Sequence, residues 1–244
     1  MLDDYTVLDL ETTGLDPKKE KIIEIGAVRI RNGEVAETFQ SLVQPGRELD
    51  TRVIELTGIS QQMLVGAPYM DEVLPQLLAF LGEDVLIGHR ILFDYSFVKK
   101  AAVNAGAEFV KKGIDTLKLA RVCLPELPSK RLIDLCSHYE IAHQAHRACG
   151  DALAAHELYR RLCAEFPYAE QAEPEPLHYA VKKEGPITSA QKERLKRMEA
   201  FYQITLPYEI DQLTKNEASR IMDRLTAHYG RCNIAPTSAG SQDA

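Results

Sequence analysis

The amino-acid sequence predicts an α/β fold: a mixed five-stranded sheet flanked by helices, with a small helical appendage at the C-terminal end. Three observations carry that expectation. Three extended segments open the chain, and a hairpin signal joins two of them. From about residue 71 the apolar period becomes helical, and short strands alternate with helices. Finally, 45% of the 244 residues are apolar, enough for a substantial core. An antiparallel meander extended by parallel crossovers reconciles the first two.

Tyr5 to Leu10 reads as the first strand, Ile22 to Ile30 as the second and Glu37 to Gln44 as the third, with Asn32-Gly33 turning between the last two. Val73, Leu74, Leu77, Leu78 and Leu81 recur at helical spacing and place a helix over Asp71 to Leu81. Val85 to Gly88 is a short buried strand, followed by a helix from about Phe93 to Asn104. Ile114 and Asp115 mark another brief strand, with helices around 117–122 and 132–139. The longest helical pattern, Ala148 to Phe166, sets Ala148, Ala155, Leu158, Leu162 and Phe166 along one side. Residues 1–166 are therefore expected to form the main domain. Residues 167–186 hold four prolines and four glutamates and read as a linker. A helical module is expected over 187–229. Thr188 or Ser189 caps its first helix, and Thr214, with Glu217 three residues on, forms a capping box for its second. The small, polar residues 230–244 read as a disordered tail.

Composition bounds the function. Lys and Arg number 29 against 36 Asp and Glu, a formal net charge of −7, which taken alone argues against a nucleic-acid binder. The charge is uneven. Residues 1–98 carry 8 basic and 17 acidic residues, a net −9; residues 99–147 carry 9 and 5, a net +4. The second stretch, with Lys99, Lys100, Lys111, Lys112, Lys130 and Arg131, is a candidate phosphate-contacting wall, a solvated helix face being the alternative. Five cysteines (Cys123, Cys136, Cys149, Cys163, Cys232) contain no CxxC pair and read as reduced thiols. The expectation is a soluble, cytoplasmic protein: no secretory signal is visible, and no apolar stretch approaches a membrane span.

Within that acidic first stretch, Asp9 and Glu11 lie two apart in an apolar strand and so share one face. Asp94 falls in the first turn of a helix, where an acid also simply complements the dipole. Asp151 lies on the apolar stripe of the Ala148–Phe166 helix, where a carboxylate needs a partner. His146, five residues earlier, would stand roughly 140° away around a helix. It is therefore placed in the turn leading in, with His138 and His143 as decoys. Four acids and a histidine, each at a strand end or helix start, fit a two-metal phosphodiester site. All-oxygen ligation favours Mg²⁺ or Mn²⁺ over zinc.

The segments VLDLETTGLDP (Val7–Pro17), GHRILFDYSFV (Gly88–Val98) and HRACGDA (His146–Ala152) resemble, in order, the three motifs of the DEDDh 3′–5′ exonucleases, a family that includes polymerase proofreading subunits. The resemblance spans roughly residues 4–166. It implies a ribonuclease-H-like fold and stepwise release of nucleoside monophosphates from a single-stranded or frayed DNA 3′ end, in proofreading or repair. RNA trimming and a non-catalytic polymerase-accessory role are the alternatives. Carried over by position, Asp9 would bridge two Mg²⁺ (or Mn²⁺) ions, Glu11 and Asp151 would hold the first, and Asp94 would contribute at the second. His146 would deprotonate the attacking water. Thr12, Thr13 and Leu15 would cradle the terminal nucleotide, Leu15 as a wedge or else as core, and His89 joins the substrate contacts. Family members often carry Asn where this chain has Arg90, which puts the hydrogen bonding of the second motif in question. Glu24, another acid in an apolar strand, is expected to be structural or edge-facing. A polymerase subunit or a sliding clamp are the expected partners, and Gln203-Ile-Thr-Leu-Pro-Tyr208 is similar to a clamp-binding peptide.

Overall fold

The computed structural model describes residues 1–143 and 147–232. They divide into two compact units, Met1–Lys183 and the part of Glu184–Ala244 that is described. The first is built on one mixed sheet. Strands β1 (Tyr5–Thr12), β2 (Ile22–Arg31) and β3 (Glu34–Leu42) form the expected antiparallel meander, turning at Asn32-Gly33, where both residues have positive φ. Strands β4 (Leu86–Gly88) and β5 (Lys112–Asp115) extend it in parallel from β1.

A sixth strand, β6 (Glu175–Pro176), pairs antiparallel with β5, so the order is β3-β2-β1-β4-β5-β6 and the sheet has six strands rather than five. The added strand lies in the segment expected as a linker. Its proline sits on an edge, where no ladder donor is required. Just beyond it the Leu177 amide donates to the Lys111 carbonyl, and Leu177 and Tyr179 pack on the core. The segment is held because Gly113 leaves room: a Cβ there would stand 2.8 Å from a Leu177 methyl carbon.

The helices cover both faces. On one side α2 (Met70–Leu81) and α3 (Ile91–Ala105) pack over Leu8, Leu10, Ile25 and Ala27. On the other, α4 (Thr116–Cys123), α5 (Leu132–His138) and α6 (Ala148–Glu165) pack over Tyr5, Val7, Val28 and Ile30. A short α1 (Thr51–Thr57), capped by Asp50 and stopped by Gly58, was not expected. The five cysteines are free thiols, as expected.

The second unit pairs α7 (Ser189–Tyr202) with α8 (Lys215–Tyr229), opened by the capping boxes of Thr188 with Gln191 and Thr214 with Glu217. Its own core includes Leu195, Met198, Leu206, Leu213, Ile221 and Met222. Residues 203–208, read as a clamp-binding peptide, are committed to this unit. Leu206 is buried, and its amide donates to Glu199 Oε1 at 2.8 Å. The residues read as a disordered tail lie outside the described residues from 233 onward. No helix among the described residues is long and apolar enough to cross a membrane.

The packing of α6 depends on Gly26. A Cβ there would stand 2.2 Å from both the Ala148 carbonyl carbon and the Cys149 nitrogen. No flexible side-chain end could give way, so the helix itself must move. Gly26→Ala is expected to lower stability by about 3 kcal/mol, measured by urea denaturation.

Candidate active site

Three elements bring the sequence-predicted acids together. In β1 the row Tyr5, Val7, Asp9, Glu11 follows the two-residue period toward α6; its first half is apolar core and its second half is carboxylate. Opposite Asp9 in β2 stands Gly26, and opposite Glu11 stands Glu24. Because Gly26 offers no side chain, the first turn of α6 lies on the sheet there and delivers Asp151. Carboxylate oxygens of Asp9, Glu11 and Asp151 lie within 4.8 Å of one another, a grouping able to hold a metal ion.

Asp94 arrives from the first turn of α3 and is buried; its Oδ1 accepts from the Leu10 amide at 3.0 Å, between the two β1 acids. The start of α3 is strained at Arg90, whose φ of 77° is left-handed. Its amide donates to Asp115 Oδ1 at 2.9 Å, while its guanidinium lies over the Phe93 ring. Asparagine tolerates that backbone better than arginine does. The departure at Arg90 is thus a backbone cost, and Asp94 keeps its hydrogen bond.

The electrostatics follow from crowding. Burial, then Asp94, Asp151 and Glu11, hold the Asp9 carboxyl well above its ordinary range. Burial and Asp151 push Glu11 up to about 7. Burial raises Asp94 as well, against the pull of its backbone hydrogen bonds. Oxygen-only donors that resist ionisation side by side suit a hard divalent cation.

Glu24 is structural but not edge-facing: it is fully buried in the inner strand β2. Burial works to raise its pKa, yet hydrogen bonds from Arg147, Gln40 and the Ala148 amide outweigh burial and hold it below the usual range. His146 lies outside the described residues. His143, read as a decoy, is instead at the site: its Nε2 is 2.5 Å from Asp151 Oδ1. Its buried Nδ1 has no hydrogen-bond partner among the described residues. Nothing in the spacing distinguished it from His146, since both precede the α6 segment in the sequence.

The substrate residues divide. Leu15 is 76% exposed, which removes its reading as core. Thr12 Oγ1 donates to the Gly14 carbonyl and Thr13 Oγ1 to Glu20 Oε2, so both hydroxyls are engaged within the turn. Arg47, also bonded to Glu20 and Thr13, secures that turn and was not singled out from the sequence. His89 is spent on structure: one ring nitrogen meets Thr116 Oγ1 at 2.9 Å and the other the Lys130 carbonyl at 2.8 Å.

Most of the basic wall is also spent. The ammonium of Lys99 donates to the Phe109 carbonyl, and that of Lys100 to the Lys18 carbonyl. Lys111 is buried against the Leu81 and Gly82 carbonyls, Lys130 closes its own loop, and Arg131 pairs with Asp134.

The RNase T exonuclease family matches residues 6–159. The chain belongs to this exonuclease family. Membership bears out the DEDDh 3′–5′ exonuclease reading of the three motifs, a phosphodiester hydrolase. The exonuclease domain is 36% identical over 164 residues to the DNA polymerase III subunit epsilon of Aquifex aeolicus, covering 66% of this chain and 81% of that protein. It is 40% identical over 159 residues to a PolC-type DNA polymerase III of Clostridium perfringens, covering 65% of this chain but only 11% of that much longer protein. In fold it is similar to exonuclease X in complex with 5′-overhanging duplex DNA: TM-score 0.57, 23% identity, 69% of this chain and 96% of that one. It is likewise similar to E. coli exonuclease I in complex with a dT13 oligonucleotide: TM-score 0.62, 19% identity, 68% and 42%.

Two measurements test the site. Without a cation, the raised Glu11 pKa stabilises the fold below its unfolded value near 4.5, and that contribution is lost as pH rises through about 7. A divalent cation competes with those protons. The rise in Tm on adding Mg²⁺ is therefore expected to be larger at about pH 8 than at about pH 5, as read by scanning fluorimetry. Arg90→Asn is expected to add about 0.5–1 kcal/mol of stability in urea denaturation by relieving the left-handed strain.

Proposed function

We propose that the whole protein is a metal-dependent 3′–5′ exonuclease that releases nucleoside monophosphates one at a time from single-stranded or frayed DNA 3′ ends, in proofreading or repair. The observation that carries this is the convergence of Asp9, Glu11 and Asp151, with Asp94 tied to the β1 backbone between the first two. Two Mg²⁺ (or Mn²⁺) ions would supply charge stabilisation for the attacking and leaving oxygens of the scissile phosphate. Asp9 would hold both, Glu11 and Asp151 one, and Asp94 the other.

The remaining chemistry belongs to side chains. His146 takes a proton from the attacking water as the new phosphorus–oxygen bond forms. The bond to the 3′ oxygen breaks, that oxygen takes a proton from solvent and stays on the shortened strand, and a 5′-monophosphate departs. His143 holds Asp151 through its Nε2. With the Thr12 and Thr13 hydroxyls engaged, the backbone of that turn is left to meet the terminal nucleotide. Leu15, exposed beside it, wedges against the base. The named relatives that are polymerase III subunits or polymerases support a polymerase subunit as partner in the cytoplasm.

Digestion of matched single-stranded DNA and RNA oligonucleotides, labelled at either end, tests the reading. Progressive loss from the 3′ end of DNA is expected, and preferential digestion of RNA would redirect it to RNA trimming. Glu11→Gln and Asp151→Asn are each expected to abolish nucleotide release; full activity in either would sink the assignment. His146→Ala is expected to cost about 10²–10⁴-fold in kcat and to flatten the rise of rate with pH.

A further inference from the structure

We propose that Glu24 and Arg147 form a positioning pair that sets how tightly the acidic site grips its cations, by anchoring the first turn of the helix that carries Asp151. The proposal rests on the exonuclease reading above.

A buried carboxylate beside other acids is costly unless donors surround it. Glu24 is fully buried, directly across from Glu11, and it has such a set. Arg147 Nη2 donates to its Oε1 at 2.8 Å, and Arg147 Nε reaches both oxygens at 3.2 and 3.3 Å. The Ala148 amide donates to Oε2 at 3.1 Å, and Gln40 Nε2 to Oε1 at 2.9 Å.

Two of these donors belong to the start of α6. A helix begins with amides that have no partner in the preceding turn, and a capping side chain normally takes one of them. The residue at the α6 cap position is Arg147, and it supplies no such bond. Glu24 supplies it from the neighbouring strand, accepting the Ala148 amide and holding Arg147 in the same grasp. The Asp151 amide in turn donates to the Arg147 carbonyl at 2.9 Å. The chain of contacts therefore runs from β2 to the cap and from the cap to Asp151, one helical turn away. Gly26 sets how near α6 lies, and Glu24 with Arg147 sets where its first turn stops along the sheet.

The deciding variant is Arg147→Gln. It removes a positive charge next to the acids, so charge alone would tighten cation binding, whereas loss of positioning loosens it. Binding of Mn²⁺ to the full-length protein without nucleic acid is followed by electron paramagnetic resonance. Tm and the kcat for single-stranded DNA digestion are measured on the same samples. Arg147→Gln and Glu24→Gln are both expected to weaken Mn²⁺ binding by about 10-fold or more and to lower kcat. Arg147→Lys, which keeps the charge but not the fork, is expected to fall between them and wild type. Unchanged or tighter Mn²⁺ binding in Arg147→Gln, even with a lower Tm, would overturn the proposal. Should Glu24→Gln fail to fold, the two Arg147 variants decide it. Wild-type protein that binds Mn²⁺ but releases no nucleotide would overturn the exonuclease reading and leave the positioning result standing.

Discussion

A helix backbone can rest directly on a sheet only where the sheet offers no Cβ, and in this protein that place is Gly26. The contact holds α6 against β1 and β2 so closely that Ala148 and Cys149 fill the space an alanine side chain would need. Everything at the acidic site inherits its geometry from there. The row Tyr5, Val7, Asp9, Glu11 runs under the helix, apolar where α6 presents Ala155 and Leu158 and ionisable where the helix begins. Asp151 occupies the first turn, so the same contact that builds the core also sets three carboxylates within reach of one another.

Close approach has an electrostatic cost, and two solutions to it stand side by side. Glu24 is neutralised within the protein by Arg147, Gln40 and the Ala148 amide, which hold its carboxyl ionised despite full burial. Among the described residues Asp9 and Glu11 have no such set of donors, and their pKa values rise. Two acids directly opposite each other in one sheet, Glu11 and Glu24, are thus tuned in opposite directions, Glu11 upward by burial and Asp151, and Glu24 downward by the hydrogen bonds it accepts. Under the proposed function the first would serve a cation from outside, while the second holds the start of α6.

The strands and long helices were legible because their apolar patterns are long enough to read: β1 and β2 are largely apolar runs bounded by turns, and α2 and α6 repeat over three turns or more. Helix α1 was missed although Asp50 and Gly58 bracket it, because Thr57 alone of its residues is buried and no apolar stripe marks it. Strand β6 was hidden by the prolines of the segment around it, which signal a linker unless a neighbouring edge happens to be bare. Among site residues, Asp9, Glu11, Asp94 and Asp151 were visible from motif order. Their supporters were not. Glu24, His143 and Arg47 act through contacts 8 to 124 residues away in sequence, and no local pattern distinguishes such a residue from any other acid, imidazole or surface arginine. His89 shows the converse, a residue inside a motif whose two nitrogens are consumed by the wall around it.

The same distinction resolves the acidic net charge. The basic stretch 99–147 seemed the natural surface for a polyanion, yet its lysines mostly close loops by donating to carbonyls: Lys99 to Phe109, Lys111 to Leu81 and Gly82, Lys130 to Leu127. An ammonium held by a carbonyl keeps its charge but loses its freedom to follow a phosphate. With four of the acids committed to divalent ions, their formal −4 would be cancelled and the net −7 would fall to −3. Attraction for a DNA end would then be concentrated at the ions and at the turn bearing Leu15, which favours a terminal nucleotide over a length of duplex backbone. Under the proposed function, a protein built this way would grip one end weakly and locally, and a polymerase partner presenting the frayed strand would supply what its own surface lacks.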